Sequence, residues 1–430
     1  MGSRSRRRSP RLSRTLRRLF FSLLMFVAFF ALLTRGLTAL EHRRLLNTQR
    51  IDDRVAYLPD HWLREERGFY HLDDGAMLHE VFPVQKKPGA FRLIVAGESF
   101  MMGSPWVVQV MQEGGKGGIP DWLAAELPVR FPSRPFEVIN AAVGSESSFR
   151  VRRIAAKMAQ TKPDLMIVAC GNNEGYVPQT RLNEALHQWI VYRLLKKALL
   201  PAPSLDERAY FAPQDRDTQK IENAYRVNLR AIVDACRRNG VRLLLATLPI
   251  HWDYAGADPR VHGKSADPTA DPNIVQARRL IDQGDLSGAE RLLLQSAQQG
   301  YAAYYLARIA ERRGDLEQAR RLYRVYVQLA PNNRTRPSYN EFLRQLAREQ
   351  NLPLADLEAA ADRLAGRAIS PPGVWMDYCH MSKRGYYLME QEIMRVLIEQ
   401  RIVPAAPGEP QPAPTRERLI ELTPKLGDNR

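Results

Sequence analysis

The chain has 430 residues and a formal net charge of +16, which by itself would suggest a nucleic-acid partner. The first 40 residues hold nine arginines and no acidic residue, so the other 390 carry 54 basic and 47 acidic residues, an ordinary solvated surface. Basic residues interleaved with aromatics are not found, which argues against nucleic-acid binding. Cys170, Cys236 and Cys379 are too few for a disulfide framework, although a bridge between Cys170 and Cys379 stays open.

The N-terminus predicts a membrane anchor. Eight arginines lie within the first 18 residues, and an apolar stretch follows from 19 to 40, interrupted at Arg35. The positive-inside rule places the arginine-rich tail in the cytoplasm, where it can contact anionic lipid headgroups, and exports the rest. A cleaved signal peptide is the alternative; Leu37 and Ala39 match a cleavage site poorly, which favours an uncleaved anchor.

Apolar strands alternate with helical patterns from residue 91 onward. This alternation predicts an α/β domain whose parallel sheet is covered on both faces. We expect the polar and aromatic lead-in at 41–90 to pack on this domain, without assigning it a role. The predicted elements are strands at 92–96, 137–140, 165–169, 242–247 and 353–357, and helices at 220–239 and 383–399.

Residues that could take part in catalysis follow three of these strands. Ser99 follows the first strand within Gly97-Glu-Ser-Phe-Met-Met-Gly103. Gly144 follows the second strand, where its backbone N–H can approach a ligand, and Asn173 follows the third. The N–H groups of Ser99 and Gly144 and the side-chain amide of Asn173 together make three donors for a developing oxyanion.

Asp377 and His380 stand only three residues apart in Met376-Asp-Tyr-Cys-His380, just before the last helical pattern. A serine hydroxyl is a weak nucleophile unless a base takes its proton, and a carboxylate holds that base in the right tautomer. The sequence therefore predicts Ser99 as nucleophile, His380 as base and Asp377 as the residue that orients it. The other histidines are interpreted as ordinary surface or core residues.

These segments resemble, in order, the four motif blocks of the SGNH/GDSL hydrolase family. The blocks are Gly97-Glu-Ser99 with Gly103, Asn140 with Gly144, Gly171-Asn-Asn-Glu174, and Asp377-x-x-His380. Glu98 and Glu174 stand where the family more often has aspartate. An α/β-hydrolase fits less well, because the second glycine of the nucleophile elbow is missing after Ser99.

The resemblance implies a flavodoxin-like three-layer sandwich with a five-stranded parallel sheet, and an esterase that needs no metal or organic cofactor. The substrates it suggests are acyl or acetyl esters of envelope glycans or lipids. An O-acyltransferase would use the same triad, with a sugar hydroxyl in place of water. A third interpretation is a non-catalytic scaffold that binds a protein partner.

A repeat interrupts the domain between the fourth and fifth strands. Gly284-Asp-Leu-x-x-Ala289-x-x-Leu292 recurs as Gly314-Asp-Leu-x-x-Ala319-x-x-Leu322. This is similar to tetratricopeptide repeats, whose paired helices meet at a small alanine. The insertion is interpreted either as a docking surface for a protein partner or as a packing element beside the site.

Two further segments have distinctive sequence patterns. Residues 181–200 form a basic helical pattern with a wide apolar stripe, which fits a lid, a membrane-facing element or an ordinary core helix. Residues 404–414 are proline-rich and predict an extended linker. The predicted organisation is a cytoplasmic tail (1–18), a membrane anchor (19–40), a lead-in (41–90), a hydrolase domain in two parts (91–260 and 335–402), a helical insertion (272–331) and a proline-rich tail (403–430).

Overall fold

The computed structural model describes residues 14–43, 45–46, 48, 62–73, 79–107, 115–174, 181–200, 218–254, 271–296, 299–329 and 334–427. The strands are β1 Leu63–Glu66, β2 Phe69–Asp73, β3 His79–Pro83, β4 Phe91–Gly97, β5 Phe136–Asn140, β6 Leu165–Ala169, β7 Arg242–Ala246 and β8 Leu354–Ala355. The helices are α1 Arg14–His42, α2 Ser99–Met102, α3 Ile119–Arg130, α4 Ser148–Ala159, α5 Arg181–His187, α6 Ile190–Leu199, α7 Thr218–Arg238, α8 Pro272–Gln283, α9 Leu286–Leu294, α10 Gln299–Arg312, α11 Leu316–Leu329, α12 Pro337–Gln350, α13 Leu357–Ala365, α14 Lys383–Glu399 and α15 Arg416–Leu422.

The chain divides into two compact units, Met1–Tyr57 with Thr180–Pro203, and Leu58–Gln179 with Ser204–Arg430. The larger unit contains the predicted parallel sheet, which is confirmed in the order β5-β4-β6-β7-β8. Numbered by position in the chain, this is the 2-1-3-4-5 order of flavodoxin-like folds. All neighbouring strands in it pair in parallel, so their carboxyl ends lie at one edge.

Helices cover both faces of this sheet, as the long apolar runs of β4 and β6 require. Alternate residues of β4 point to opposite faces: Leu93 and Val95 join the core beneath α3 and α14, whereas Ile94 and Ala96 join the core beneath α4, α7 and α12. The result is the predicted three-layer sandwich.

The parts of the lead-in described at 62–73 and 79–90 pack on this sandwich, as a three-stranded antiparallel sheet that the sequence did not predict. Its Trp62, Leu72 and Phe82 are buried in the core on the α4 face. The buried guanidinium of Arg92 on β4 donates to Pro83 O at 2.5 Å and to Glu137 Oε2 at 2.7 Å. Arg92 thereby joins the small sheet to the large one.

The repeated sequence folds as two helical hairpins, α8 with α9 and α10 with α11. Gly284 and Gly314 both adopt the left-handed conformation that ends the first helix of each hairpin, at φ +87° and +80°. Ala289 and Ala319 are fully buried at the helix contacts. The similarity to tetratricopeptide repeats stays a prediction, as does a protein partner.

The chain after α14 is docked on the domain, which differs from the predicted extended linker. Leu419 and Leu426 are fully buried in the core, and Gln411 N–H donates to Arg130 O at 2.8 Å. Lys383 Nζ donates to Lys425 O at 3.0 Å and to Gly427 O at 2.6 Å. The chain after α14 is therefore part of the packed domain.

The smaller unit contains α1, α5 and α6. Within α1, the 25-residue segment Arg17–Glu41 is long and apolar enough to cross a membrane, in agreement with the predicted span at 19–40. A signal sequence passes the same test, so the choice of an anchor over a cleaved signal stays a prediction. Residues 1–13 of the arginine-rich tail lie outside the described part of the chain.

Candidate active site

Ser99 is the first residue of the short helix α2, two residues beyond the end of β4. Gly97 is the last residue of that strand, and the position requires glycine because a Cβ atom there would lie 2.3 Å from the carbonyl oxygen of Ala169 on β6. The helix stops at Gly103, which is left-handed at φ +94°. The chain thus turns sharply at the sheet edge, and Ser99 keeps only 8% of its surface exposed.

Asn140, at the end of β5, braces this turn. Its Nδ2 donates to Met102 O at 3.0 Å, and its Oδ1 accepts from Ala142 N–H at 3.2 Å. The amide is buried and directed at backbone. Asn140 therefore connects the last residue of α2 to the loop that leads toward Gly144.

Gly144 lies in the turn after β5. Val143 N–H donates to Gly97 O at 3.0 Å, so this backbone runs beside the strand end that precedes Ser99. Within the described residues, the N–H of Gly144 has no acceptor, and the N–H of Ser99 has none inside α2 because it opens the helix. Among the described residues, neither of the two N–H groups predicted to bind an oxyanion is thus committed to a backbone acceptor.

Asn173 is connected to the serine segment through Glu98. Its Nδ2 donates to Glu98 Oε2 at 3.0 Å and makes a longer contact of 3.4 Å with Glu146 O. The other carboxyl oxygen of Glu98 accepts from Asn172 N–H at 2.8 Å. Sequence reasoning treated Glu98 only as a departure from the family pattern. Its buried carboxyl in fact positions the loop that carries Asn173.

Glu174, the next residue on the same loop, holds the first residue of α4. Its carboxylate accepts from Ser148 N–H at 2.6 Å and from Ser148 Oγ at 2.7 Å. Burial raises the pKa of Glu98 to about 8 and that of Glu174 to about 7. Near neutral pH, Glu98 is therefore mostly protonated and Glu174 is partly protonated.

Asp377 and His380 form the closest side-chain pair of the candidate site. Asp377 Oδ2 lies 2.7 Å from His380 Nδ1, and Oδ1 accepts from the N–H groups of Cys379 at 2.8 Å and His380 at 2.7 Å. Burial raises the pKa of Asp377, but the hydrogen bond and charge of His380 and the two N–H groups outweigh it, so the net shift is downward. A carboxylate on Nδ1 leaves Nε2 to act as the base.

The structure has no hydrogen bond between Ser99 Oγ and His380, both of which are described. The two segments nevertheless contact each other. Two hydrogen bonds join them, from Trp106 Nε1 to Met381 O at 2.9 Å and from Tyr386 Oη to Ser104 O at 2.7 Å. Catalytic hydrogen bonds often tighten only with substrate bound, so proton transfer requires His380 and Ser99 to close to hydrogen-bonding distance.

His251, interpreted from the sequence as an ordinary histidine, lies against the loop that carries the pair. Its Nδ1 is 2.8 Å from Asp377 O, and its ring stacks on Trp375 with 4.9 Å between centroids. A carbonyl can only accept, so Nδ1 carries the proton. Burial lowers the pKa of His251, which favours the neutral ring. The sequence could have indicated this residue, because it follows the carboxyl end of a predicted strand, β7.

The donor atoms of Asp377, Cys379 and His380 lie within 4.8 Å of one another, close enough to hold a metal ion. The chemistry of the set fits poorly. Burial raises the pKa of the Cys379 thiol well above its usual value, whereas metals bind the thiolate. The arrangement is better suited to orienting an imidazole than to binding a cation.

No protein-family model and no curated protein matches the chain. Solved structures with some similarity include the acetylxylan esterase from Geobacillus stearothermophilus, at 15% identity and TM-score 0.35, over 71% of this chain and 94% of that one. The lipase/acylhydrolase from Enterococcus faecalis is 13% identical at TM-score 0.34, over 72% and 96% of the two chains. A GDSL-like lipase from Bacteroides thetaiotaomicron is 10% identical at TM-score 0.33, over 72% and 88%. Similarity this low assigns no activity to this chain.

Proposed function

We propose that the chain is a serine ester hydrolase of the SGNH/GDSL type, with Ser99, His380 and Asp377 as its triad. The observation that carries the proposal is the 2.7 Å contact between Asp377 Oδ2 and His380 Nδ1, in a segment hydrogen-bonded to the turn after Ser99. A carboxylate in that position supports an imidazole that accepts a proton.

In the first step His380 Nε2 takes the proton of Ser99 Oγ as the oxygen attacks the ester carbonyl. The oxyanion accepts from Ser99 N–H, Gly144 N–H and the Asn173 amide, which gives up its longer contact with Glu146 O to reach the oxyanion. His380 then gives its proton to the leaving alcohol, and the acyl group stays on Ser99. Water attacks the acyl-enzyme with His380 again as base, which releases the acid and restores the hydroxyl.

We place this activity outside the cytoplasm, on a chain anchored by α1. The arginines that precede the apolar span support this orientation through the positive-inside rule. Acyl or acetyl esters of envelope glycans or lipids are the substrates such an enzyme would meet. The triad itself calls for no metal or organic cofactor.

Hydrolysis of p-nitrophenyl acetate by the full chain tests the proposal. Ser99→Ala and His380→Ala are expected to lower kcat/KM by roughly 10⁴-fold, toward the uncatalysed rate. Ser104→Ala, which removes a nearby hydroxyl outside the triad, is the matched control and should keep the activity. Equal rates in the wild type and both triad variants would contradict an esterase and favour a non-catalytic scaffold.

A further inference from the structure

The segment formed by α5 and α6 belongs to the compact unit of α1. The sequence left open whether this amphipathic segment packs in the core, covers the site or faces a membrane. Because α6 contacts α1 within this unit, the question becomes which surface α6 presents on its other side.

Arg193 attaches α6 to the end of the apolar span. Its Nη2 lies 2.5 Å from Glu41 Oε2, Nε donates to Thr48 Oγ1 at 3.0 Å, and Nη1 donates to His187 O at 2.6 Å. Thr48 Oγ1 also donates to Glu41. Arg193 is only 1% exposed. A buried ion pair persists when each partner is fully hydrogen-bonded, so this contact fixes α6 beside Glu41.

The opposite side of α6 is apolar. At 100° per residue, Val191, Leu195 and Leu199 fall within an arc of about 80°, roughly opposite Ile190 and Arg193. Leu195 is 54% exposed and Leu199 76% exposed. Trp189, just before the helix, is 59% exposed. The helix therefore has two faces, one held against the α1 end and one open.

We propose that the open face of α6 lies in the headgroup region of the membrane leaflet on the exported side. The inference rests on α1 crossing that membrane, and it is independent of the esterase activity. Glu41 ends the span, so a helix attached to it sits at the depth of the interface. A lipid surface is the occupant because Arg193 holds α6 at Glu41, the last residue of the segment that is long and apolar enough to cross a membrane.

The other residues of this segment fit the same depth. Tryptophan is enriched at membrane interfaces, and amphipathic helices lie there with leucines toward the acyl chains. Lys196 and Lys197 lie between the two leucines in sequence, as expected of a helix at anionic headgroups. The membrane therefore covers apolar surface that water would otherwise contact.

The test uses the full chain in nanodiscs of phosphatidylcholine and phosphatidylglycerol. Leu195→Cys or Leu199→Cys is labelled with an NBD fluorophore, and the wild type, whose three cysteines are buried, serves as the labelling blank. Glu317→Cys, at an exposed position of α11, is the water-exposed control, and Phe26→Cys in α1 reports the span.

The expected result is blue-shifted emission at 195 and 199, with quenching at least twofold stronger by lipid spin-labelled at carbon 5 than at carbon 12. The probe at 26 should be quenched most by lipid spin-labelled at carbon 12. The probe at 317 should be quenched by neither spin-labelled lipid. Emission at 195 and 199 that matches the control overturns the inference. A blue shift without lipid quenching also overturns it, since a protein then covers the face. If the probe at position 26 is not quenched by lipid spin-labelled at carbon 12, α1 does not cross the membrane and the inference fails with it.

Discussion

His251 Nδ1 donates to the backbone carbonyl oxygen of Asp377 at 2.8 Å, directly behind the carboxylate that holds His380. This bond links the segment after β7 to the loop that carries Asp377 and His380. It gives His251 a positioning role, because a shift in the Asp377 backbone moves the imidazole of His380.

Two substitutions separate the parts of that role. His251→Phe keeps a ring that can stack on Trp375 but loses the donor, and we expect kcat to fall on the order of 10- to 100-fold through misplacement of the pair. His251→Asn keeps a donor near the position of Nδ1 and should retain most of the activity. Steady-state kinetics on p-nitrophenyl acetate measure both. Equal losses in the two variants would show that the hydrogen bond is not what matters.

Removal of the Asn173 amide should act on the transition state. Asn173→Ala is expected to lower kcat by about 100-fold, near 3 kcal/mol of barrier, with little change in KM. Since Asn173 also donates to Glu98, folding is checked by the thermal midpoint. A change in KM alone, with kcat kept, would assign Asn173 to binding and not to the oxyanion.

Glu98 and Glu174 predict a pH dependence of stability. Burial raises the pKa of Glu98 from 4.5 to about 8 and that of Glu174 from 4.5 to about 7. The folded protein therefore holds protons that the unfolded chain has released between about pH 4.5 and 8. Their contribution is complete below pH 4.5 and is lost as pH rises through 7 and 8.

The free energy of unfolding of the full chain in detergent, followed by near-ultraviolet circular dichroism, is expected to fall from pH 5 to pH 8. Glu98→Gln carries no titrating group there, so its curve should be flatter while Glu174 still contributes. Glu421→Gln, at an exposed position, is the control and should reproduce the wild-type slope. A slope in Glu98→Gln as steep as that of the wild type would contradict the assignment.

The helical insertion shares a core with the loops beside the site. Trp252 and Ile369 pack in the same cluster as Tyr326 of α11, and Trp252 Nε1 donates to Asp362 Oδ1 at 2.8 Å. Trp252→Ala should therefore destabilise the protein by about 3–5 kcal/mol in denaturant unfolding. Leu364→Ala, at an exposed position, should cost no more than about 0.5 kcal/mol. Unchanged stability in Trp252→Ala would mean that the insertion stands apart from the domain.

Much of the sheet could be predicted because its strands are buried on both faces. The runs that became β4 and β6 are apolar at nearly every position, and a glycine lies near the sheet-edge end of each, Gly97 as the last residue of β4 and Gly171 two residues after β6. The weakest prediction was the fifth strand, which pairs over only Leu354 and Ala355. The lead-in sheet was missed because Leu63–Glu66 is mostly charged and carries little apolar alternation.

The residues that support the site were harder to predict. Asp377 and His380 are near in sequence, so one turn of chain brings them together. Glu98 and His251 act through partners 74 to 126 residues away, and such contacts leave no periodic pattern. The attachment of α6 to α1 could not be predicted for the same reason, since Glu41 and Arg193 are 152 residues apart.

The most direct test of the account is to treat the full chain with a fluorophosphonate probe and map the adduct by mass spectrometry. One adduct is expected, on Ser99. Ser99→Ala should abolish it, His380→Ala should greatly slow its formation, and Ser104→Ala should leave it intact. A folded wild-type protein that carries no adduct, or carries it on another serine, would contradict an activated hydroxyl at position 99.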